Sequence, residues 1–479
     1  MAILRTTVLG GLLLCQLLGA PLQAAQSLPD IGDVSSQTLS PQQEREIGQA
    51  AMVEIRRSGA MIDDPEVVAY LNQVGYRLVD AADAGDTRYT FFGLRDKSVN
   101  AFAMPGGYIG VHSGLIVMSQ HESELASVLA HEIAHVSQRH VARLLDGTRS
   151  GVWMSLASLG LAILAAQAGR GDLGGAALAV GMGMNVQKQL DYTYAFEQEA
   201  DRIGMQTLQA AGYDPASMPA FFERLQKHNR AVESNAPEFL RTHPVTYRRI
   251  ADAQSRLDDK PFRAVPDSAD FLFLREKLRA QQLGNRNAVE FFQKTLADKR
   301  YASEAAARYG LAYAYYQAHD YEQAAAALQK ARSVFGGKSH PALEYLGGQI
   351  LQGQGRNTEA VALLKAAAAQ FVGSRALTYG TIDALTAAGQ LPAAQALVDD
   401  SLSLYPGDAW LYLRAARVYG LQDKRMQKHK AMGEYYVRLQ EYAPALEQFQ
   451  LALQQPGDDF YLLSAIEARI RDLESMRKN

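Results

Sequence analysis

The C-terminal half of the chain repeats itself, and this periodicity constrains the fold more than any other feature. Short turns, each followed by an alanine-rich helical segment, begin near Asp320, Gly355, Gly389 and Glu441. The alanines at equivalent positions, Ala324, Ala360 and Ala394, are 36 and 34 residues apart. A unit of this length is a pair of helices that buries its apolar face only by stacking on its neighbours. Residues 267–479 are therefore predicted to form an α-solenoid.

The predicted solenoid has a period close to that of tetratricopeptide repeats, which is about 34 residues. Stacked helix pairs of this kind curve and leave a concave surface that suits a segment of another protein. The alternative is a block of helices that only packs against the rest of the chain and stabilises it. Tetratricopeptide repeats are thus expected at 267–479, and binding of a partner is one of two interpretations of them.

The N-terminus has the pattern of a secretory signal peptide. A basic residue near the start, an apolar run and small residues before Ala25 predict that residues 1–24 are removed by cleavage. The single cysteine, Cys15, lies in the removed part, and Leu13 and Leu14 before it disfavour lipidation. A mature chain without cysteine has no disulfides, which suits the periplasm of a Gram-negative bacterium. The formal net charge of −3 gives no reason to expect nucleic acid as a partner.

Two histidines four residues apart mark the N-terminal half of the chain. In a helix, His131 and His135 project from one face, where two imidazoles can bind a metal ion. Glu132 lies about 100° further round, in a position to take a proton from a water molecule that the metal activates. The alternative is an amphipathic helix with two incidental histidines. The motif by itself does not decide between the two, because HExxH patterns also occur by chance.

A second candidate helix supplies carboxylates. Glu197 and Asp201 are four residues apart and share a face, so one can bind a metal while the other hydrogen-bonds a ligand histidine. Glu199 points away, at about 200° from Glu197. If the first helix continues straight past His135, His140 lies about 140° from that residue and is predicted to be a solvated surface histidine. Two histidines and one glutamate, with a position left for water, are typical ligands of catalytic zinc.

The segment before the histidine helix predicts a small β-sheet. Residues 88–94 form one predicted strand, and residues 100–112 form two short strands separated by a Pro-Gly-Gly turn. Two amphipathic helices precede the sheet within residues 40–82. If the last strand lies at an exposed edge, an extended polypeptide can pair with its backbone, and an ordinary edge strand without a ligand is the alternative. The candidate substrate strand consists of Gly107, Tyr108, Ile109, Gly110 and Val111.

Between the histidine helix and the carboxylate helix lies a segment of unusual composition. Residues 151–169 and residues 173–187 contain no charged side chain. An uncharged run of this length can span a membrane, but serine, glutamine, glycine and many alanines dilute its hydrophobicity. Residues 150–187 are predicted to be a helical hairpin that acts as a lid on the site or contacts a partner or a membrane surface. A true membrane span is the alternative.

Three segments together resemble the Ste24/HtpX-type zinc metallopeptidase family. They are VNAFAMPGG at 99–107, HEIAH at 131–135 and EQEADRIG at 197–204. The resemblance implies a thermolysin-like α+β metallopeptidase domain (a zincin) at residues 25–266, with one Zn²⁺ per chain. It implies that His131, His135 and Glu197 bind the zinc, that Glu132 is the general base, and that Asp201 orients a ligand histidine. Together with the repeats, the chain is expected to be mainly α.

The same resemblance extends to the segment RTHP at 241–244. In members with C-terminal repeats the matching histidine can approach the zinc from a loop, so His243 is expected to act as a latch, a fourth ligand that closes the site. A loop histidine that caps a turn is the alternative. Arg249 matches an arginine that follows this motif and is expected to support the site electrostatically.

The resemblance implies two functions of different kinds. The first is a periplasmic zinc endopeptidase that cleaves misfolded or stalled outer-membrane proteins. The second is a chaperone or scaffold whose repeats dock on the barrel assembly machinery of the outer membrane while the metal site stays closed. The expected partners are therefore unfolded or misassembled outer-membrane proteins and that machinery, with peripheral membrane contact as one interpretation of residues 150–187.

Overall fold

The computed structural model describes residues 39–82, 84–85, 87–146, 186–231, 238–257, 265–456 and 459–478. The predicted signal peptide and nearly all of the predicted lid lie outside these ranges. Within them the chain is mainly helical with one small sheet, which confirms the predicted fold class. No helix in this part of the chain combines the length and the apolarity that crossing a membrane requires.

Two capped helices open the described chain, as the sequence predicts. Helix α1 (Pro41–Arg57) starts after Ser40, whose hydroxyl accepts a hydrogen bond from the first turn. Helix α2 (Pro65–Ala81) starts after Asp64, whose carboxylate accepts two backbone hydrogen bonds while a proline occupies the first helical position. The buried face of α2 packs in one core with the sheet and with the helix that carries the paired histidines.

The sheet has three strands, as predicted, but the last of them along the chain does not lie at an edge. Strands β1 (Thr90–Leu94), β2 (Ala101–Met104) and β3 (Tyr108–His112) are arranged in the order β1-β3-β2. Strand β3 pairs in parallel with β1 and antiparallel with β2, so that Gly110 lies between Phe92 and Phe102.

The prediction that Gly107–Val111 forms an exposed substrate edge is therefore wrong. Both sides of β3 are occupied by other strands, and Gly107 precedes the strand in a turn with a φ of 84°. Strand order caused the error, because chain order suggests that the last strand is outermost, whereas the parallel partner β1 takes the outer side of β3. The edge on the opposite side of the sheet from β1 belongs to β2.

The remaining described helices of the N-terminal part include the histidine helix. They are α3 (Ser113–Met118), α4 (Glu122–Ser137), α5 (His140–Asp146), α6 (Val186–Ala210), α7 (Ser217–Ala231), α8 (Glu238–Thr242) and α9 (Tyr247–Ser255). Helix α4, which carries the paired histidines, packs along α6, which carries the carboxylates. At the crossing, a Cβ added to Gly204 would lie 3.2 Å from the backbone nitrogen of His131. Glycine therefore allows the close approach that brings the two sets of side chains together.

Helix α4 does not continue through His140, contrary to the prediction. It ends at Ser137, and Arg139 has a φ of 50°, in the left-handed region that breaks a helix. The guanidinium of Arg139 donates a hydrogen bond of 2.6 Å to the carbonyl oxygen of Leu39, which holds the break in place. Helix α5 therefore leaves in a new direction, and the position of His140 cannot be extrapolated from α4.

The C-terminal part consists of consecutive helices joined by short turns. They are α10 (Ala269–Leu283), α11 (Asn285–Ala297), α12 (Glu304–Gln317), α13 (Tyr321–Val334), α14 (Pro341–Gly353), α15 (Asn357–Gln370), α16 (Arg375–Ala387), α17 (Leu391–Leu404), α18 (Ala409–Leu421), α19 (Arg425–Arg438), α20 (Tyr442–Leu453) and α21 (Phe460–Lys478). Helices α13, α15, α17 and α20 begin directly after the four turns that the sequence marks, which confirms the predicted helical repeat.

Helix α10 belongs to both parts of the molecule. Three of its residues are buried in the core of the N-terminal part, and two others are buried in the core of the first repeats. The former are Phe271, Leu274 and Leu278, and the latter are Phe273 and Ala280. The boundary predicted at 266/267 thus falls just before a helix that two cores share.

Charged contacts tie the repeats to the N-terminal part at two further places. Lys277 of α10, only 2% exposed, pairs with Asp64 and Glu66 at the start of α2. Near the other end of the repeats, the guanidinium of Arg56 donates a hydrogen bond of 3.1 Å to the carbonyl oxygen of Leu439. The repeats therefore contact the N-terminal part along much of their length.

Candidate metal centre

Four side chains with metal-binding atoms meet between α4, α6 and the residue that follows α8. His131 and His135 come from α4, Glu197 from α6, and His243 from the start of the loop before α9. One nitrogen or oxygen atom of each lies within 4.8 Å of the corresponding atom of every other. Three of the four residues are buried, and His135 is partly buried. The structure thus brings together all four residues that the sequence proposes as ligands.

The distances between these atoms fit a tetrahedral metal ion. The two α4 imidazoles lie 3.0 Å apart between their Nε2 atoms, and His135 Nε2 lies 3.3 Å from Glu197 Oε1. His243 Nδ1 lies 3.3 Å from His131 Nε2 and 3.0 Å from Glu197 Oε1. Ligand atoms about 2.0–2.1 Å from a tetrahedral zinc ion are about 3.4 Å from each other. Three imidazole nitrogens and one carboxylate oxygen are also ligands that zinc prefers.

Asp201 supports His131 from the side opposite the cluster. Its Oδ1 lies 3.0 Å from His131 Nδ1, and this contact leaves Nε2 directed at the other candidate ligands. Arg249 of α9 donates a hydrogen bond of 2.7 Å to Asp201 Oδ2 and lies 2.8 Å from Glu197 Oε2. All these side chains are nearly inaccessible to solvent. We call His131, Asp201 and Arg249 the direct relay, because a carboxylate contacts the histidine without an intermediate.

Burial and the neighbouring charges together determine the protonation of the metal-free site. Burial raises the pKa of the Glu197 carboxyl, but His243, His131 and His135 outweigh it and hold that pKa well below its usual value. Burial likewise opposes ionisation of Asp201, whose pKa is nevertheless lowered by Arg249 and His131. Burial lowers the pKa of His131, but hydrogen bonds to Asp201 and Glu197 raise it to about 10. The metal-free site therefore holds a proton on His131, which a bound metal ion would displace.

Glu132 lies beside the cluster with an unsatisfied oxygen atom. The residue is 1% exposed, and its Oε1 has no hydrogen-bond partner among the described residues. His243 Nε2 is 3.5 Å from this oxygen. Burial raises the pKa of the Glu132 carboxyl, against the opposing charges of His243 and His131. A buried glutamate whose pKa is raised can accept a proton and later donate it.

Backbone contacts hold His243 at the cluster. Its N–H donates a hydrogen bond of 2.7 Å to the carbonyl oxygen of Phe239, and the two rings stack with centroids 4.9 Å apart. Phe239 is fully buried, and its own N–H donates to the carbonyl oxygen of Val99, just before β2. Arg249 donates a hydrogen bond of 3.0 Å to the carbonyl oxygen of Pro244. The loop with His243 is therefore attached both to the start of the edge strand and to the direct relay.

His140 is not the solvated surface histidine that the sequence predicts. It is 4% exposed, and its Nδ1 lies 2.9 Å from His135 Nδ1. Its Nε2 lies 3.2 Å from Glu199 Oε2, and Arg143 donates a hydrogen bond of 3.0 Å to the same oxygen. The prediction fails because it assumes a straight helix, whereas the left-handed residue Arg139 turns α5 back towards the site.

We call His135, His140, Glu199 and Arg143 the indirect relay, because a second histidine lies between the carboxylate and the candidate ligand. Sequence reasoning missed both inner members, His140 and Glu199, since each was placed on a helix face pointing away. No spacing in the sequence links Glu199 of α6 to His140 and Arg143 of α5, because these residues come from different helices. The sequence RHVAR directly after the HExxH helix holds two members of this relay and was the available hint.

A cleft of about 330 Å³ opens beside the cluster. Its lining includes Phe102, Ala103 and Met104 of β2, Glu132, His135 and Val136 of α4, Val141 of α5, and His243. The backbone of Ala103 also forms a hydrogen bond with the Glu132 carboxylate. The strand at the mouth of the site is therefore β2, and most of the surface beside it is apolar.

These features together define a metal-dependent endopeptidase. They are a small sheet beside a helix with paired histidines, a glutamate from a second helix, and a buried glutamate next to the cluster. Residues 65–257 match the model of Peptidase family M48. The chain belongs to this family, within its group of beta-barrel assembly-enhancing proteases. The group is shown by a relative of that name from Yersinia pestis, 34% identical over 414 residues, which are 85% of this chain and 83% of the relative.

Other relatives agree over shorter regions. The beta-barrel assembly-enhancing protease of Escherichia coli is 37% identical over 331 residues, which cover 68% of this chain and 67% of that protein. The mitochondrial metalloendopeptidase OMA1 of Schizosaccharomyces pombe is 31% identical over 193 residues, 40% of this chain and 53% of that protein. The chain thus matches about two thirds of the length of the first curated relatives. A solved tetratricopeptide domain of P58(IPK) is 14% identical, and the match covers 74% of this chain and 96% of that one. Its TM-score of 0.16 is too low to support a structural argument.

Proposed function

We propose that the chain is a periplasmic zinc endopeptidase that degrades misfolded or stalled outer-membrane proteins and is restrained by His243. The observation that carries this proposal is the position of His243, whose Nδ1 lies 3.3 Å from His131 Nε2 and 3.0 Å from Glu197 Oε1. With three protein ligands a zinc ion has a position for water, and with four it has the closed set typical of structural sites. The same residues therefore support a catalytic site in its restrained form.

The residues of the chain have separate tasks in this proposal. His131, His135 and Glu197 would hold the ion, and Asp201 and Arg249 would fix the orientation of His131. A bound Zn²⁺ would act as a Lewis acid on the peptide carbonyl and lower the pKa of a water molecule. Glu132 would accept a proton from the attacking water and transfer it to the leaving amine, which agrees with its burial and its raised pKa.

The substrate segment is proposed to lie along β2 and not along β3. Strand β2 has a free edge in the described sheet and borders the cleft that contains Glu132 and His135. An extended chain that adds to an exposed edge gains backbone hydrogen bonds whatever its side chains are, so sequence preference would be loose. Loose preference suits an enzyme whose substrates are recognised by being unfolded.

The restraint would be released by moving His243 away from the cluster. Its Nε2 is 3.5 Å from Glu132 Oε1, so the imidazole fills the space between the general base and the ion site. A water molecule could reach that space only after the imidazole leaves. Two hydrogen bonds would have to lengthen or break in the same movement. One joins Arg249 to the carbonyl oxygen of Pro244, and the other joins the N–H of Phe239 to the carbonyl oxygen of Val99.

Zinc analysis and casein cleavage by three forms of the mature protein test the proposal. The wild type is expected to bind one zinc ion, and Glu132→Gln to keep the ion while cleavage falls about 10²–10⁴-fold. His243→Ala is expected to keep zinc and to cleave faster than the wild type, with self-cleavage as an additional sign. His429→Ala, which changes a histidine of the repeats, is the matched control. Cleavage retained by Glu132→Gln, or lost in His243→Ala, would contradict the respective assignment.

The closed ligand set also favours a second candidate function, a chaperone or scaffold for the barrel assembly machinery. The names of the relatives from Escherichia coli and Yersinia pestis refer to assembly of β-barrels as well as to proteolysis. Glu132→Gln separates the two candidates in cells that lack the wild-type chain. Restored assembly of outer-membrane proteins by this variant would favour the scaffold, and failure to restore it would favour the peptidase.

A further inference from the structure

We infer that His140 is a positioning residue that fixes the tautomer of His135 for metal binding, with Glu199 as its own anchor. This inference rests on the proposed function, because it concerns the same metal site. It adds to that site two residues, His140 and Glu199, that do not approach the ion themselves. Its basis is the chain of contacts from His135 through His140 to Glu199 and Arg143.

With His140 neutral, the contacts in this chain allow one consistent arrangement of protons. The Glu199 carboxylate only accepts hydrogen bonds, and Arg143 already donates one to its Oε2. His140 Nε2, 3.2 Å from the same oxygen, must therefore be the protonated nitrogen of that ring. In a neutral imidazole the other nitrogen is then an acceptor, so His140 Nδ1 offers a lone pair.

This arrangement determines which nitrogen of His135 is available to the metal. His140 Nδ1 lies 2.9 Å from His135 Nδ1, so the latter must carry the proton and donate it. The Nε2 atom of His135 is then unprotonated, and this atom faces His131 and Glu197 at 3.0 and 3.3 Å. The opposite tautomer would present an N–H to the ion and could not ligate it.

Packing alone does not account for these contacts. The His140 ring also stacks on Phe196, with centroids 4.5 Å apart and planes at 16°, and Arg143 lies 4.7 Å from the centre of the same Phe196 ring. A phenyl ring at position 140 could keep this stacking. It could not reproduce two nitrogens that contact His135 on one side and Glu199 on the other.

Zinc affinity of the mature protein, measured by competition with a chromophoric chelator, separates positioning from packing. His140→Phe is expected to weaken zinc binding about 10–100-fold, the usual loss when a residue that orients a metal-bound histidine is removed. His140→Asn, whose side-chain oxygen lies near the position of Nδ1, is expected to recover most of the affinity. Phe196→Leu, which removes the stacking but keeps both hydrogen bonds, is expected to bind zinc like the wild type.

Each result has a distinct meaning. Equal affinities of His140→Phe and wild type, or equal losses in His140→Phe and Phe196→Leu, would overturn the inference while leaving the proposed function intact. Absence of zinc binding by the wild type would overturn the proposed function and this inference with it. If His140→Phe does not fold, Glu199→Ala replaces it, because Glu199 lies nearer the surface. Weaker zinc binding by that variant supports the inference, and unchanged binding overturns it.

Discussion

His131 and His135 stand one turn apart on the same helix, yet each is supported from behind by a different set of side chains. The direct relay places Asp201 against His131 and Arg249 against Asp201, all out of contact with water. The indirect relay inserts His140 before Glu199, and its Arg143 is 39% exposed. The first is a buried charge pair, and the second ends at the solvent.

This difference in exposure separates two kinds of contribution. Buried charges interact strongly and leave a large penalty when one partner is removed, because the other remains without compensation. Charges at the surface are screened by water and contribute little to stability. The direct relay should therefore determine whether the site folds, while the indirect relay should mainly determine how well His135 is aligned.

The largest effect is expected from replacing Arg249. The Arg249→Met variant leaves Asp201 and Glu197 buried without their cation, and the metal-free protein should lose about 3–5 kcal/mol of unfolding free energy. Denaturation by urea after removal of metal measures this loss. If Arg249→Met lost no more unfolding free energy than Arg143→Met, the two relays would not differ in their contribution to stability.

A second, intermediate effect concerns pH, where the two relays should act in opposite directions. The pKa of His131 rises to about 10 on folding. The contribution of this histidine to the unfolding free energy is therefore fully present below about pH 6.5, the ordinary pKa of histidine, and is lost as the pH rises towards 10. Burial lowers the pKa of His135 to about 3 and that of His140 to about 4. The unfolded chain binds more protons at these two sites, so stability falls as the pH drops from about 6.5 to about 4.

The metal-free protein is thus expected to be most stable near pH 6.5. Urea denaturation at acidic, neutral and alkaline pH tests this expectation. Asp201→Asn should flatten the alkaline side, because it removes the negative charge of a carboxylate that raises the pKa of His131. His140→Phe should flatten the acidic side. A wild-type profile that rises or falls steadily across this range would contradict the opposed roles of the relays.

The smallest effect is expected from Arg143, the counterpart of Arg249. In Arg143→Met the partner Glu199 remains accessible to water and can be solvated, so the unfolding free energy should change by less than about 1 kcal/mol. The same urea series measures it. A loss comparable to that of Arg249→Met would mean that the indirect relay also carries the stability of the site.

Local rules were sufficient to place the side chains of the two helices that meet at the site. His131 and His135, like Glu197 and Asp201, are four residues apart on uninterrupted helices, so the members of each pair share one face. The choice of Glu197 as ligand and the place of His243 came from the family resemblance and not from spacing. The start of α2 after Asp64 and the helices of the repeats follow from equally local signals. Each of these predictions depends on contacts within one element or on its own turn.

The predictions that failed depend on contacts between distant parts of the chain. The prediction for His140 failed because Arg139 takes a left-handed conformation. Glycine or asparagine usually marks such a position in a sequence, and neither is present here. The conformation is held by a hydrogen bond from the Arg139 guanidinium to Leu39, a hundred residues earlier. Strand β3 was placed at the edge because alternation along a strand does not reveal its neighbours. The inner position follows only from its parallel pairing with β1.

The sharing of α10 between two cores means that the chain is not assembled from exchangeable modules. A peptidase fragment that stops at residue 266 would lack Phe271, Leu274 and Leu278 and would expose apolar surface where they pack. A free repeat fragment that includes α10 would carry the same three side chains into water. Truncation at this boundary is therefore expected to destabilise both parts of the molecule. Because the connection is a helix and not a flexible linker, a force that acts on the repeats is transmitted directly to the peptidase part.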